Sequence, residues 1–89
     1  MKYQVTYTKQ AQKQLKKLDA FTRTTLLLWI DKNLHDSPDP RVHGKGLTAN
    51  HAGEWRYRVG DYRILANIYD DNVVIEVFTI GHRRDVYSD

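Results

Sequence analysis

GEWRYRVGDYRILANIY, residues Gly53 to Tyr69, is the stretch on which the reading of this chain turns. Trp55, Tyr57 and Val59 alternate with Glu54, Arg56 and Arg58. Beyond Gly60-Asp61, Tyr62, Ile64, Ala66 and Ile68 alternate with Arg63, Leu65, Asn67 and Tyr69. A period of two on both sides of a Gly-Asp pair predicts two antiparallel strands closed by a two-residue loop. With that loop Val59 pairs with Tyr62, Arg58 lies directly across from Arg63, and Arg56 shares their face. Like charges opposed across a ladder destabilise it. Three guanidiniums on one face therefore point to an anionic partner.

Working toward the N-terminus, the prolines in Asp36-Ser37-Pro38-Asp39-Pro40 cannot continue a helix and mark the end of one. Before them, Phe21, Leu27, Ile30 and Leu34 recur at helical spacing as the expected buried face of a helix capped by Asp19, with Leu26, Leu28 and Trp29 widening it. A first helix, capped by Thr8, carries Ala11, Leu15 and Leu18 on one stripe and Lys9, Lys13, Lys16 and Lys17 on the rest of its surface. So short a link between the two implies an antiparallel helical hairpin. Tyr3, Val5 and Tyr7 alternate with Lys2, Gln4 and Thr6 as an opening strand. RVHGKGLTANHA, Arg41 to Ala52, has no sustained period and reads as a loop anchored by Leu47.

Toward the C-terminus, a turn at Asp70, Asp71 and Asn72 precedes a strand from Val73 to Ile80. Both of its faces are apolar, and Glu76 favours the odd-numbered residues Val73, Ile75 and Val77 as the inward set. The element order β-α-α-β-β-β predicts an α+β fold: an antiparallel sheet of about four strands with the N-terminal helical hairpin packed on one face.

The chain has 89 residues, so residues 1–89 are expected to form a single domain with a small core. Fourteen Lys and Arg against 11 Asp and Glu give a net charge of +3, which favours an anionic partner only mildly; placement says more than the total. The lack of cysteine excludes a disulfide framework and thiolate metal sites. No signal-peptide core or membrane-spanning run is visible, and a soluble cytoplasmic protein is expected.

At Gly81 the last strand gives way to His82-Arg83-Arg84-Asp85-Val86-Tyr87, an imidazole, two guanidiniums and a phenol at a strand end. Through WRYRVGDYRI, IGHRRDVY and KQLKKLD, the chain resembles the RelE family of bacterial toxins within the RelE/ParE superfamily, nearly end to end. The resemblance implies a ribosome-dependent endoribonuclease that enters the decoding site, cuts messenger RNA, uses no metal or other cofactor, and is silenced by a RelB-like antitoxin. It also implies a toxin–antitoxin complex able to bind operator DNA through the antitoxin. Carried over by motif, Arg56 and Arg58 stand beside the scissile phosphate, Arg63 steadies its developing charge, Arg83 serves the leaving group and Tyr87 supports the reacting nucleotide. Two features depart from some members: arginine rather than lysine at positions 56 and 58, and only three residues between Arg83 and Tyr87.

The chemistry of the residues limits the analogy. RNA is cut when a 2′-hydroxyl attacks the adjacent phosphorus, so a protein must orient the nucleotide, stabilise negative charge and move two protons. Guanidinium suits the second task and, always charged, is a poor general base. Proton transfer falls to His82, whose imidazole type titrates near about 6.5 in water, or to Tyr87, whose phenol type titrates near about 10 and would need cations around it. The sequence leaves both open.

Blander readings stand beside these. The arginines could form a solvated face or a dock for an acidic antitoxin segment. Tyr87 could clip the C-terminus to the sheet, and His82 could serve a strand end. Lysines 9, 13, 16 and 17 read as the wet side of a helix that also contacts RNA phosphates, with Lys45 as a further RNA-binding candidate. HGKGLT lacks the spacing of a phosphate-binding P-loop. Trp29 and Trp55 read as packing residues, and His35, His43, His51 and His82 show no metal-ligand spacing. The competing function is a ParE-like toxin that inhibits DNA gyrase without cutting RNA; a third is a degenerate toxin kept as a binding partner.

Overall fold

The computed structural model describes residues 2–46 and 54–86. Its elements are β1 (Gln4–Tyr7), α1 (Lys9–Lys17), α2 (Ala20–Asn33), β2 (Lys45–Gly46), β3 (Glu54–Val59), β4 (Tyr62–Tyr69), β5 (Val74–His82) and α3 (Arg83–Val86). The strands form one sheet in the order β1-β5-β4-β3-β2.

The hairpin follows the expected register, with Val59 opposite Tyr62 and Arg58 opposite Arg63. Gly60 has φ +60°, whereas Asp61 is not in the left-handed region. That combination belongs to a two-residue loop of the II′ type, which places glycine first and suits the twist of the flanking strands. Both helix caps also form: Thr8 Oγ1 accepts from the Ala11 N–H at 3.1 Å and Asp19 Oδ2 from the Thr22 N–H at 3.1 Å. Arg23 fastens the helices together by donating to the carbonyls of Leu15 and Leu18 at the end of α1.

The sheet is larger and less uniform than the sequence suggested. Among the described residues it has five strands where about four were expected, and it is not wholly antiparallel: β1 runs parallel to β5, from Gln4 opposite Val74 to Tyr7 opposite Val77. Where β1 stops, α1 continues along β5, and the Gln14 side chain accepts from the Ile80 N–H at 2.7 Å. An edge group that would otherwise invite another strand is thereby satisfied. Part of the expected loop is instead strand β2, paired with β3 through Lys45–Arg56 and Gly46–Trp55. The expected Leu47 anchor lies outside the described residues.

The ambiguous sidedness of β5 has a physical resolution. Leu65 pairs with Thr79 but the next residue, Ala66, pairs with Val77, leaving Phe78 as the extra residue of a bulge. An inserted residue reverses which parity faces inward. Ile75 and Val77 are buried before the bulge and Ile80 after it, so both apolar sets are used. Val73 precedes the strand with φ +56°, and the expected strand start moves to Val74.

Beneath this sheet face, Tyr57, Ile64, Ala66, Ile75, Val77 and Ile80 pack with Ala11 and Leu15 of α1 and with Leu26, Ile30 and Leu34 from α2 and its C-cap. The centre of the α2 face is Leu26, with Leu27 half-buried. Phe21 and Leu28, both expected to help bury the helix, are 80% and 63% exposed. No described helix is long and apolar enough to cross a membrane.

Candidate nucleic-acid interface

Paired residues in a ladder project to the same side of a sheet. Tyr57, opposite Ile64, faces the helices, so Arg58 opposite Arg63, and Arg56 opposite Leu65, occupy the reverse face. The register adds a residue that came from the presumed loop: Lys45 pairs with Arg56 and shares its side. Two like-charge pairs, Lys45–Arg56 and Arg58–Arg63, therefore stand next to each other on one surface. Glu54, Asn67 and Glu76 form the next row toward the other end, so the basic character is concentrated near the hairpin tip.

The three arginines are not equivalent. Arg58 is exposed and Arg56 half-buried, whereas Arg63 is only 5% exposed. Arg63 Nη1 donates to the Gly60 and Tyr62 carbonyls, both at 3.0 Å. It therefore braces the hairpin turn while contributing positive charge under the surface that Arg58 presents.

Arg83 is brought to the same end of the sheet. Its backbone N–H donates to the Asp61 carbonyl at 2.8 Å, tying the start of α3 to the hairpin loop, and its side chain is exposed. Gly81 pairs with Arg63, and a side chain at that position would meet Val86 at 3.1 Å. A side chain there would crowd α3, and Val86 would have to give by a few tenths of an ångström. Arg84 is also exposed on α3.

His82 is not gathered with the arginines. It pairs with Tyr62, whose ring packs against the core cluster, and the two rings meet edge to face at 5.5 Å. Its Nδ1 accepts from the Arg84 N–H at 3.2 Å. The imidazole thus lies on the helix-bearing side, in a cleft also lined by Gln14, Lys17 and Asp85. Tyr87 lies outside the described residues.

Lys9, Lys13, Lys16 and Lys17 are exposed on α1, which packs along β5 and β1 rather than near β3. They form a second basic surface, separate from the arginine face. Among the described residues no three His, Asp or Glu side chains gather closely enough to hold a metal ion.

The sequence reading missed a polar cluster at the other end of the sheet. Arg41 grips Asp70 with both ends of its guanidinium, at 2.9 and 3.1 Å, and Tyr3 donates its phenol to Asp70 at 2.6 Å. The Arg41 hydrogen bonds, and then that of Tyr3, hold the Asp70 carboxyl below the usual carboxylate range, and the carboxylate in turn raises the Tyr3 phenol. Arg41 also sits 5.9 Å from the centre of the Trp55 ring. Trp55 donates its indole N–H to the His43 carbonyl at 2.6 Å, and the fully buried Tyr57 donates its hydroxyl to the Pro40 carbonyl at 2.8 Å. Burial pushes that phenol well up. Nothing local in the sequence links Arg41 with Asp70, 29 positions apart.

Over residues 5–87 the chain matches the sequence model of the family described as ParE toxin of type II toxin-antitoxin system, parDE. It is 31% identical over 87 residues to Toxin RelG of Mycobacterium tuberculosis strain H37Rv, covering 98% of each chain. The crystal structure of the M. tuberculosis toxin-antitoxin complex RelBE2 superposes with a TM-score of 0.84 at 28% identity, over 93% of both chains. The archaeal RelE-RelB complex from Pyrococcus horikoshii OT3 gives 0.67 at 26% identity, over 93% of this chain and 97% of that one. A substituted E. coli toxin RelE in the free state shares the fold, with a TM-score of 0.72 at 21% identity, over 96% of this chain and 87% of its own.

Proposed function

The chain belongs to the RelE/ParE superfamily of toxins of type II toxin–antitoxin systems, and from that premise we propose that it is a ribosome-dependent endoribonuclease that cuts messenger RNA in the decoding site and stops translation. The observation that carries this reading is the arginine face. Arg56, Arg58 and Lys45 share one surface with the buried charge of Arg63 beneath it, and Arg83 starts a helix tied to the same hairpin.

Such a surface suits a phosphate in the act of gaining negative charge. In the proposed reaction the messenger's 2′-oxygen bonds to the adjacent phosphorus while the bond to the 5′-oxygen breaks. One proton leaves the 2′-hydroxyl and another reaches the departing oxygen. Arg56 and Arg58 bind and orient the phosphate through planar, permanently charged groups. Arg63 adds field from a site where water screens it less, and Arg83 stands for the leaving oxygen. The protons belong to Tyr87 or His82. The position of His82 across the sheet from the arginines argues against the imidazole, which leaves Tyr87 as the proposed proton-transfer group.

The proposed partners are the ribosome, messenger RNA and a RelB-like antitoxin, whose acidic segment would cover the same cations and through which the complex would bind operator DNA. The proposed location is the cytoplasm, where ribosomes are. A second reading, gyrase inhibition, is favoured by the family description that matches residues 5–87.

One experiment separates them. Purified protein is added to programmed ribosomes, and messenger ends are mapped by primer extension. New ends within the decoding-site codon are expected, lost in Arg56→Ala. Intact messenger together with gyrase inhibition would replace the nuclease reading by the ParE-like one. In single turnover, Tyr87→Phe is expected to lose cleavage and His82→Gln to retain most of it.

A further inference from the structure

We propose that the Arg41–Asp70 ion pair is a positioning device that holds Lys45 beside Arg56, so that both cations meet the same RNA backbone. The proposal rests on the nuclease reading above. It concerns residues outside the reacting group.

The described part of β2 is Lys45 and Gly46, last in the sheet order beside β3, with Lys45 opposed to the like charge of Arg56. Like charges opposed across a ladder weaken the pairing at this point. What holds it comes from the preceding segment. Asp70 fixes the Arg41 guanidinium by two hydrogen bonds, and Tyr3 fixes Asp70. Arg41 then lies over Trp55, whose indole N–H in turn fixes the His43 carbonyl. Gly44 follows at φ +78°, so close to β3 that a Cβ there would collide with the Arg56 carbonyl. Lys45 comes next. From Asp70 to Lys45 each link is a direct contact or an adjacent residue, and Trp55 and Arg56 are neighbours on β3.

The alternative is that Arg41–Asp70 is an ordinary exposed pair, which typically contributes little. The two readings differ in sign. Asp70→Asn removes a negative charge from a protein that binds a polyanion, so electrostatics alone would tighten binding. Loss of a positioning contact would weaken it.

The test uses programmed ribosomes whose messenger carries a 2′-deoxyribose at the cleavage position, so that binding is read without cutting, at 50 and 200 mM salt. Lys45→Ala is expected to weaken binding and to lower its salt dependence by about one phosphate contact, or roughly threefold over that salt range. Asp70→Asn should reproduce both effects, Asp70→Glu should recover part of the loss, and Asp70→Asn should add nothing to Lys45→Ala. Tighter or unchanged binding by Asp70→Asn overturns the proposal, as does an equal loss in the Lys45→Ala background. If Arg56→Ala also binds and cuts like the parent protein, the RNA-face reading falls, and this proposal with it.

Discussion

Replacing Arg58 with glutamine should make the protein more stable while removing its activity. In a two-residue hairpin the closing pair, Val59–Tyr62, exchanges the ladder hydrogen bonds. The next pair out, Arg58–Arg63, then occupies the non-bonded site, where opposed Cα atoms are about 4.5 Å apart and side chains are closest. Like-charge pairs at such positions destabilise by up to roughly 1 kcal/mol. Arg63 is buried but Arg58 is exposed, so solvent screens one end, and roughly 0.3–0.6 kcal/mol is the reasonable share. For a domain of this size that raises Tm by roughly 1–5 °C. Circular-dichroism melting at 50 mM and 500 mM salt reads the effect directly. The gain should shrink by more than half at high salt, where the screening length falls to roughly 4 Å. Arg84→Gln, on α3 with no residue opposed across a ladder, is the control and should leave Tm unchanged. A lower Tm for Arg58→Gln at both salt concentrations would refute the reasoning, because the pair would then be stabilising and would need no anion to explain it.

Tyr57→Phe keeps the buried ring but leaves the Pro40 carbonyl without its donor, and should lower stability by about 1–3 kcal/mol in a denaturant titration. Val73→Asn should raise it by roughly 0.5–1.5 kcal/mol in the same titration, since a β-branched residue at φ +56° is strained and asparagine tolerates that region. Asp70→Asn should melt below the parent at pH 7, with the gap closing under acid. The folded carboxyl is depressed by Arg41 and Tyr3, so the stability it adds is present above the unfolded value of about 4 and is lost as pH falls through the folded one. A gap that persists undiminished at pH 2.5 would show that the carboxylate is not the group responsible.

The parts of the fold that could be read from sequence are those governed by neighbours. Thr8 and Asp19 cap because a hydroxyl or carboxylate just ahead of a helix meets its unpaired N–H groups. The Arg58–Arg63 pairing follows from counting outward from Gly60-Asp61. What could not be read depends on distant packing or on degenerate patterns. Phe21, Leu26, Leu27, Leu28, Trp29 and Ile30 are apolar around most of α2, so periodicity cannot say which side is covered. Strand β5 is apolar on both faces, and only the bulge at Phe78 decides where Ile80 and then His82 point. The parallel partnership of β1 with β5 joins opposite ends of the chain. Arg63 gives no sign in sequence that it is buried against the turn.

The same crowding bears on how an antitoxin would work. Lys45–Arg56 and Arg58–Arg63 set like charges opposite one another, and an anion placed over them, whether a messenger phosphate or the carboxylates of a covering segment, would lower that repulsion. A ligand that binds the folded state stabilises it in proportion to its occupancy and affinity. On the proposed reading, an acidic antitoxin segment should therefore protect the toxin from thermal unfolding in a salt-sensitive way and should compete with RNA for the same cations. Arg58→Gln separates inhibition from stabilisation: with the repulsion already relieved, the variant should gain less thermal protection from the antitoxin than the parent does, even though it starts from a higher Tm. Equal protection of both proteins would mean that the antitoxin stabilises through other surfaces, such as the exposed Phe21 and Leu28, and leaves the arginine face to RNA alone.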